Sequence, residues 1–207
     1  MIIEQIQVTG MAVFCYLVVD EGTGEAVLID PAGDFDLINK KISRHSAKIR
    51  YIINTHGHYD HTSGNDYMLN NTDASLLIHE LDFPHLRSLS KENTARFSNP
   101  GNKKILLLKH NDIIKIGGNE IKVIHTPGHT QGCISLYTKD NIFTGDTLFT
   151  EGVGRTDMPG GSQKELVKSI VERILSLPDN TVIWPGHNYG RKPSSNVKEQ
   201  KKYFGVK

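Results

Sequence analysis

An apolar run of strand length, Tyr51-Ile52-Ile53, ends at Asn54 and passes straight into Thr55-His56-Gly57-His58-Tyr59-Asp60-His61. No other stretch constrains this chain as tightly, because four potential metal ligands fall within six residues. The residues that follow, Thr62-Ser63-Gly64-Asn65-Asp66, have the composition of a helix start, which places the histidines on a turn between strand and helix. Side chains at i and i+2 point the same way only in extended chain. His56 and His58 therefore clasp one ion if the backbone is still extended there, and Gly57 lets the chain pass close by. Asp60 and His61 are neighbours whose side chains diverge, which directs them to a second ion beside the first. Imidazole and carboxylate without thiolate suit zinc, iron or manganese, and a catalytic centre keeps one position open for water. The rival reading is a set of solvated loop histidines, but three His and an Asp seldom crowd one turn without a charge to neutralise.

The layout around this turn is that of alternating strands and helices. Residues 2–8 alternate, residues 13–19 are nearly all apolar and residues 26–29 form a third run, separated by Gly10 and Glu21-Gly22-Thr23-Gly24, which reads as an antiparallel meander. Pro31 closes the third strand, since it has no N–H for a ladder. Phe35, Leu37, Ile38 and Ile42 lie at helical spacing over residues 34–45, ahead of the strand that carries the histidines. A helix is expected over residues 63–70, a strand over 75–78, broken helix over 80–97 and a chain break at Ser98-Asn99-Pro100-Gly101-Asn102. Runs at 105–108, 113–116, 121–125, 133–137 and 142–143 make a second β-rich half, followed by a helix over 164–177 and a last strand at 181–184. Two such halves predict two sheets packed face to face with helices outside, in one domain spanning residues 1–207.

The second half also supplies ligands. His129 in Thr126-Pro127-Gly128-His129, Asp146 in Thr144-Gly145-Asp146 and His187 in Trp184-Pro185-Gly186-His187 share one grammar, an apolar strand, a glycine and then a ligand. His56, His58 and His129 are expected to hold one ion, Asp60, His61 and His187 the other, and Asp146 to bridge them. His45, His79, His85, His110 and His125 are left as structural or surface residues, with His125 placed near enough to His129 to support it. At 207 residues the chain buries roughly 70% of its unfolded surface, enough for a self-sufficient core. A net charge of +1 with mixed signs speaks against nucleic acid, and the lysines of residues 198–202 read as a solvated helix face. No run approaches membrane-spanning length, no secretory leader is legible, and Cys15 and Cys133 read as buried reduced thiols, so the expectation is a cytoplasmic protein that acts on small molecules.

The His-x-His-x-Asp-His run at residues 56–61, followed in order by His129, Asp146 and His187, resembles the metallo-β-lactamase superfamily over nearly the whole chain. The resemblance implies an α/β fold, an αββα four-layer sandwich of two mixed sheets, with two divalent ions at one edge. Within the superfamily the chain is most similar to glyoxalase II-like hydrolases, through Thr144-Gly145-Asp146-Thr147-Leu148-Phe149, Gly152-Val153-Gly154-Arg155-Thr156-Asp157 and Pro185-Gly186-His187-Asn188-Tyr189. That likeness implies hydrolysis of an acyl thioester by a hydroxide held between two metal ions, zinc first among the candidates, with His56, His58, Asp60 and Asp146 carrying the chemistry. It also implies Arg155 and Tyr189 as contacts to glutathione, although Arg155 has a structural alternative in an ion pair with Asp157 or Glu151. The C-terminal helical domain of glyoxalase II enzymes, with its further glutathione contacts, has no counterpart in this sequence. Persulfide dioxygenases, which use one iron, resemble the same family and are the rival activity. A non-catalytic metal-binding protein is the rival class.

Overall fold

The computed structural model describes residues 1–8, 10, 12–86 and 105–206. Strands β1 (Ile2–Gln7), β2 (Phe14–Val19) and β3 (Glu25–Ile29) form the expected antiparallel meander. Helix α1 (Phe35–Arg44) then crosses over to β4 (Lys48–Ile53), which lies parallel to β3. Helices α2 (Tyr59–Thr62) and α3 (Asn65–Asn71) lead into β5 (Ser75–His79), and β6 (Ile105–Leu108) completes the six-stranded sheet, which runs β1 to β6 in order.

The second sheet is built from β7 (Ile113–Ile116), β8 (Asn119–His125), β9 (Ile134–Thr138), β10 (Asn141–Gly145), β13 (Val182–Pro185) and β14 (Ser195–Asn196), in the order β14-β13-β10-β9-β8-β7. Only the β10–β13 pair in it is parallel. A hairpin of β11 (Leu148–Phe149) and β12 (Gly152–Val153) stands apart, while α4 (Gln163–Lys168) and α5 (Val197–Phe204) cover the sheet's outer side.

Side-chain alternation explains the layering. In β2, Phe14, Tyr16 and Val18 face the second sheet while Cys15, Leu17 and Val19 face the helices, which is why this strand reads as apolar throughout. Ile53 and Leu77 meet Ile121, Val123, Ile134 and Phe143 between the sheets. Ile38, Met68 and Leu69 seal the outer face of the first sheet, and Leu166, Ile170 and Ile174 pack on Ile142 and Ile183 of the second. The result is an αββα sandwich of two mixed sheets.

The arrangement departs from the expected layout at several points. β6 belongs to the first sheet, parallel to β5, and not to the second β-rich half. A separate helical turn, α2 at Tyr59–Thr62, precedes the helix expected over 63–70, which is α3 at Asn65–Asn71. The helix over 164–177 widens into a π-helical stretch at Ser169–Ile174, where the Leu175 N–H reaches the Ile170 carbonyl at 2.8 Å. β14 adds a strand beyond the last one expected. Residues 83–86 form one helical turn, and the remainder of the broken helix expected over 80–97, with the break at 98–102, lies outside the described residues. Cys15 and Cys133 are both buried free thiols.

Candidate metal centre

All seven candidate ligands converge at the edge where the two sheets meet. The backbone at His58 is extended (φ −68°, ψ 149°), so His56 and His58 turn to one side, and the helical turn α2 carries Asp60 and His61 to the other. His129 follows β8, Asp146 follows β10 and His187 follows β13. His187 is also tied to the first sheet, through its bridge to Val13 and the Phe14 N–H bond to the Gly186 carbonyl at 2.8 Å. The glycine before it is needed for space, because a Cβ on Gly186 would lie 2.4 Å from Asp146 Oδ1.

Three donor groups result: His56, His58 and His129; Asp60, His61 and His187; and His56, His61 and Asp146 between them. His58 Nδ1 lies 3.1 Å from His56 Nε2 and 2.9 Å from His129 Nε2. His187 Nε2 lies 3.2 Å from His61 Nε2, 3.3 Å from Asp60 Oδ2 and 3.4 Å from Asp146 Oδ2. Asp146 Oδ1 is 3.3 Å from His61 Nε2.

Hydrogen bonds on the far side of each ring fix which nitrogen faces inward. Thr55 donates its hydroxyl to Asp30 Oδ2 at 2.6 Å and accepts from His56 Nδ1 at 3.2 Å, so His56 Nε2 carries a lone pair. His61 Nδ1 donates to Asp30 Oδ2 at 2.9 Å, and His129 Nδ1 donates to the Arg155 carbonyl at 2.7 Å. The Nε2 lone pairs of three histidines therefore point into the cluster, the tautomer in which imidazole binds a cation.

The charge balance fits a cation as well. Burial, reinforced by His61, holds His56 well below the ordinary imidazole range, and burial with His129 brings His58 down to about 4, so both are neutral ligands near pH 7. Burial also opposes a charge on His61, but Asp146 and Asp30 outweigh it and push this ring well upward. His187 is raised to about 9 against its burial, by Asp146 and Asp60. Positive charge is thus favoured beside the two carboxylates. Asp146 Oδ1 is buried without a hydrogen-bond partner, an arrangement that costs about 1–3 kcal/mol unless another group satisfies it, and a metal ion would do so.

The residues that orient the ligands include two that the sequence reading did not single out. Asp30 holds His61 and, through Thr55, His56. Asp82 accepts from the Gly57 N–H at 2.8 Å, the Thr130 hydroxyl at 2.7 Å and the Gly132 N–H at 2.7 Å, tying the His56–His58 turn to the His129 loop. His125 reaches not the His129 ring, which the Arg155 carbonyl holds, but the loop after it. Its ring stacks on His79 at 4.2 Å and its Nε2 meets the Gln131 carbonyl at 2.8 Å. His85, set aside as a surface residue, lies beside His58 with ring centroids 5.6 Å apart.

A cleft of about 740 Å³ opens over the cluster and is lined by His58, Asp60, His129, Asp146 and His187, together with His85, Arg155 and Tyr189. Tyr189 stacks flat on His187 at 4.4 Å, and Arg155 pairs with Asp157.

Over residues 8–187 the sequence matches the Metallo-beta-lactamase superfamily. The chain belongs to the metallo-β-lactamase superfamily. Among its relatives in this superfamily, a "probable polyketide biosynthesis zinc-dependent hydrolase BaeB" of Bacillus velezensis is 29% identical over 198 residues, covering 93% of this chain and 82% of that protein. A "probable hydroxyacylglutathione hydrolase glo2" of Schizosaccharomyces pombe is 31% identical over 200 residues, covering 93% and 69%. The crystal structure of ETHE1 from Myxococcus xanthus superposes with a TM-score of 0.83 at 28% identity, covering 98% of this metallo-β-lactamase superfamily chain and 83% of the other. No helix among the described residues is long and apolar enough to cross a membrane.

Proposed function

We propose that this chain is a metal-dependent hydrolase of a small acyl thioester, with a glyoxalase II-like centre of two divalent ions. The observation that carries the reading is the open cleft: ligands of both outer donor groups, His58 and His129 on one side and Asp60 and His187 on the other, border one open space. A structural metal site closes on four ligands and leaves no such access. When bound, the metal pair supplies a water acidified to a pKa of about 7 and positive charge for the oxyanion of a tetrahedral intermediate.

The chain's own residues do the rest. His56, His58 and His129 would hold one ion and Asp60, His61 and His187 the other, with the Asp146 carboxylate placed between the two donor groups. Asp60 is half-buried at the cleft edge, where its carboxylate can accept the proton of an attacking water and orient it. Arg155 and Tyr189 flank the entrance, where a substrate arm passes. A thiolate leaves readily, so no dedicated acid is required opposite the carbonyl.

The names of two relatives support hydrolysis, one of them of a thioester of glutathione, and the likeness to ETHE1, at 28% identity over 98% of this chain, supports the rival reading equally. The rival is a persulfide dioxygenase with a single iron. Metal content per chain, thioester hydrolysis and persulfide-dependent oxygen uptake, measured on one preparation, decide between them. Two metals with thioester turnover support the proposal, and one iron with oxygen uptake and no hydrolysis overturns it.

A further inference from the structure

The walls of the cleft carry information about the arm of the substrate that does not react. Away from the ligands, Tyr59, Phe149, Val153, Met158 and Tyr189 line it. Four of these keep large apolar surfaces in water, with Tyr59 and Val153 each 40% exposed, Met158 37% and Tyr189 62%. A single exposed apolar side chain is ordinary, but several gathered around one concavity beside a reactive centre mark a surface that a ligand covers.

Charge points the same way. Arg155 is the one Lys or Arg lining the cleft among the described residues, and its charge is already answered. Its Nε and Nη2 donate to Oδ1 and Oδ2 of Asp157 at 2.8 and 2.7 Å, a two-point fork. The hydrogen bonds from Arg155 draw the Asp157 carboxyl down to about 2, so the pair stays charged and mutually neutralised throughout the working range of pH. A substrate carboxylate would be left the Nη1 side of the guanidinium, where it would bind beside the Asp157 anion.

On the thioester reading above, we infer that the arm filling this cleft is apolar and uncharged, an aliphatic or aromatic chain rather than the acidic tripeptide of a glutathione thioester. The site would then take its substrate from a reaction that loads apolar acyl groups onto a neutral thiol.

The metal-loaded protein tests this with S-acyl-N-acetylcysteamines from acetyl to hexanoyl and the matching S-acylglutathiones, and with non-hydrolysable S-alkyl-N-acetylcysteamines in calorimetry. Expected is a rise in kcat/KM of up to roughly fourfold for each methylene buried, with no advantage for glutathione at equal acyl length. Met158→Ser, a change at an exposed position, should flatten the series, and Arg155→Ala should affect the two thiols alike. A flat series, or a tenfold preference for glutathione that Arg155→Ala abolishes, overturns the inference. The thioethers separate it from the hydrolase reading. Affinity that climbs with alkyl length in the absence of turnover sinks hydrolysis but keeps the apolar cleft, and affinity indifferent to length sinks the cleft assignment whatever the turnover.

Discussion

Asp82→Asn tests how far the metal centre depends on one buried carboxylate that binds no metal itself. Asp82 receives three hydrogen bonds, two on Oδ2 from Gly57 and Thr130 and one on Oδ1 from Gly132. All three partners are donors, so an amide in this place must turn its own N–H₂ toward at least one of them. The least damaging orientation puts the amide nitrogen opposite Gly132. It forfeits one charge-assisted bond, worth about 1.5–3 kcal/mol, and leaves a buried N–H group without an acceptor, at about 1–3 kcal/mol. The expected loss of stability is therefore about 2.5–6 kcal/mol, read as a lower midpoint in urea without a change of slope. Gly57 separates His56 from His58, and Thr130 follows His129, so metal affinity should fall as well, measured by competition with a chromophoric chelator. Asp82→Ala removes all three acceptors and should do worse on both counts. Unchanged stability and unchanged metal affinity in Asp82→Asn would refute the reasoning.

Asp146→Asn should lower metal content and abolish turnover, because the unpartnered oxygen between the donor groups loses its charge; full occupancy by metal analysis with an unchanged rate would remove the bridging role. His79 is held at about 4 by burial and by the stacked His125, so its stabilising neutral form is complete above its unfolded value near 6.5 and is lost as pH falls from there to about 4. After allowance for solvent this amounts to about 2 kcal/mol, and His79→Phe should make the acid limb of urea stability correspondingly shallower. Asp66 has the opposite sign: burial raises it to about 6 and its Oδ2 has no partner, so the cost of ionisation is fully present above that value and is relieved as pH falls toward 4. Asp66→Asn should therefore stabilise the protein at pH 7 by about 1 kcal/mol, allowing for solvent screening, and give no gain at pH 4.

The ligand cluster was readable from the chain because each ligand is local to its own strand end. An apolar run stops, a glycine turns, and a histidine or aspartate follows, as at His129, Asp146 and His187. What supports the ligands was not readable. Asp30 sits before a proline and reads as a strand terminator, while its partners Thr55 and His61 are 25 and 31 residues away. Asp82 lies in a polar stretch with nothing to mark it, and its hydrogen bonds reach back to Gly57 and forward to Gly132. The sheet membership of β6 was equally hidden, since a four-residue apolar strand carries no information about which neighbour it pairs with. The extra helical turn at Tyr59–Thr62 was masked by the ligands themselves, whose side chains describe chemistry and not helical periodicity.

The hydrogen bond from His129 to position 155 reaches a main-chain carbonyl and not the guanidinium. Any amino acid at 155 presents that carbonyl, so the side chain there is free to drift during evolution while the path of the loop is not. Gly154 marks the same restriction, since a Cβ on it would sit 1.9 Å from the Asp146 carbonyl oxygen. A library randomised at 153, 155 and 158 should therefore yield variants with new substrate preferences and intact metal loading. Insertions or deletions between 150 and 156 should lose the metal together with the old preference, which makes the length of this loop, rather than its composition, the hereditary element.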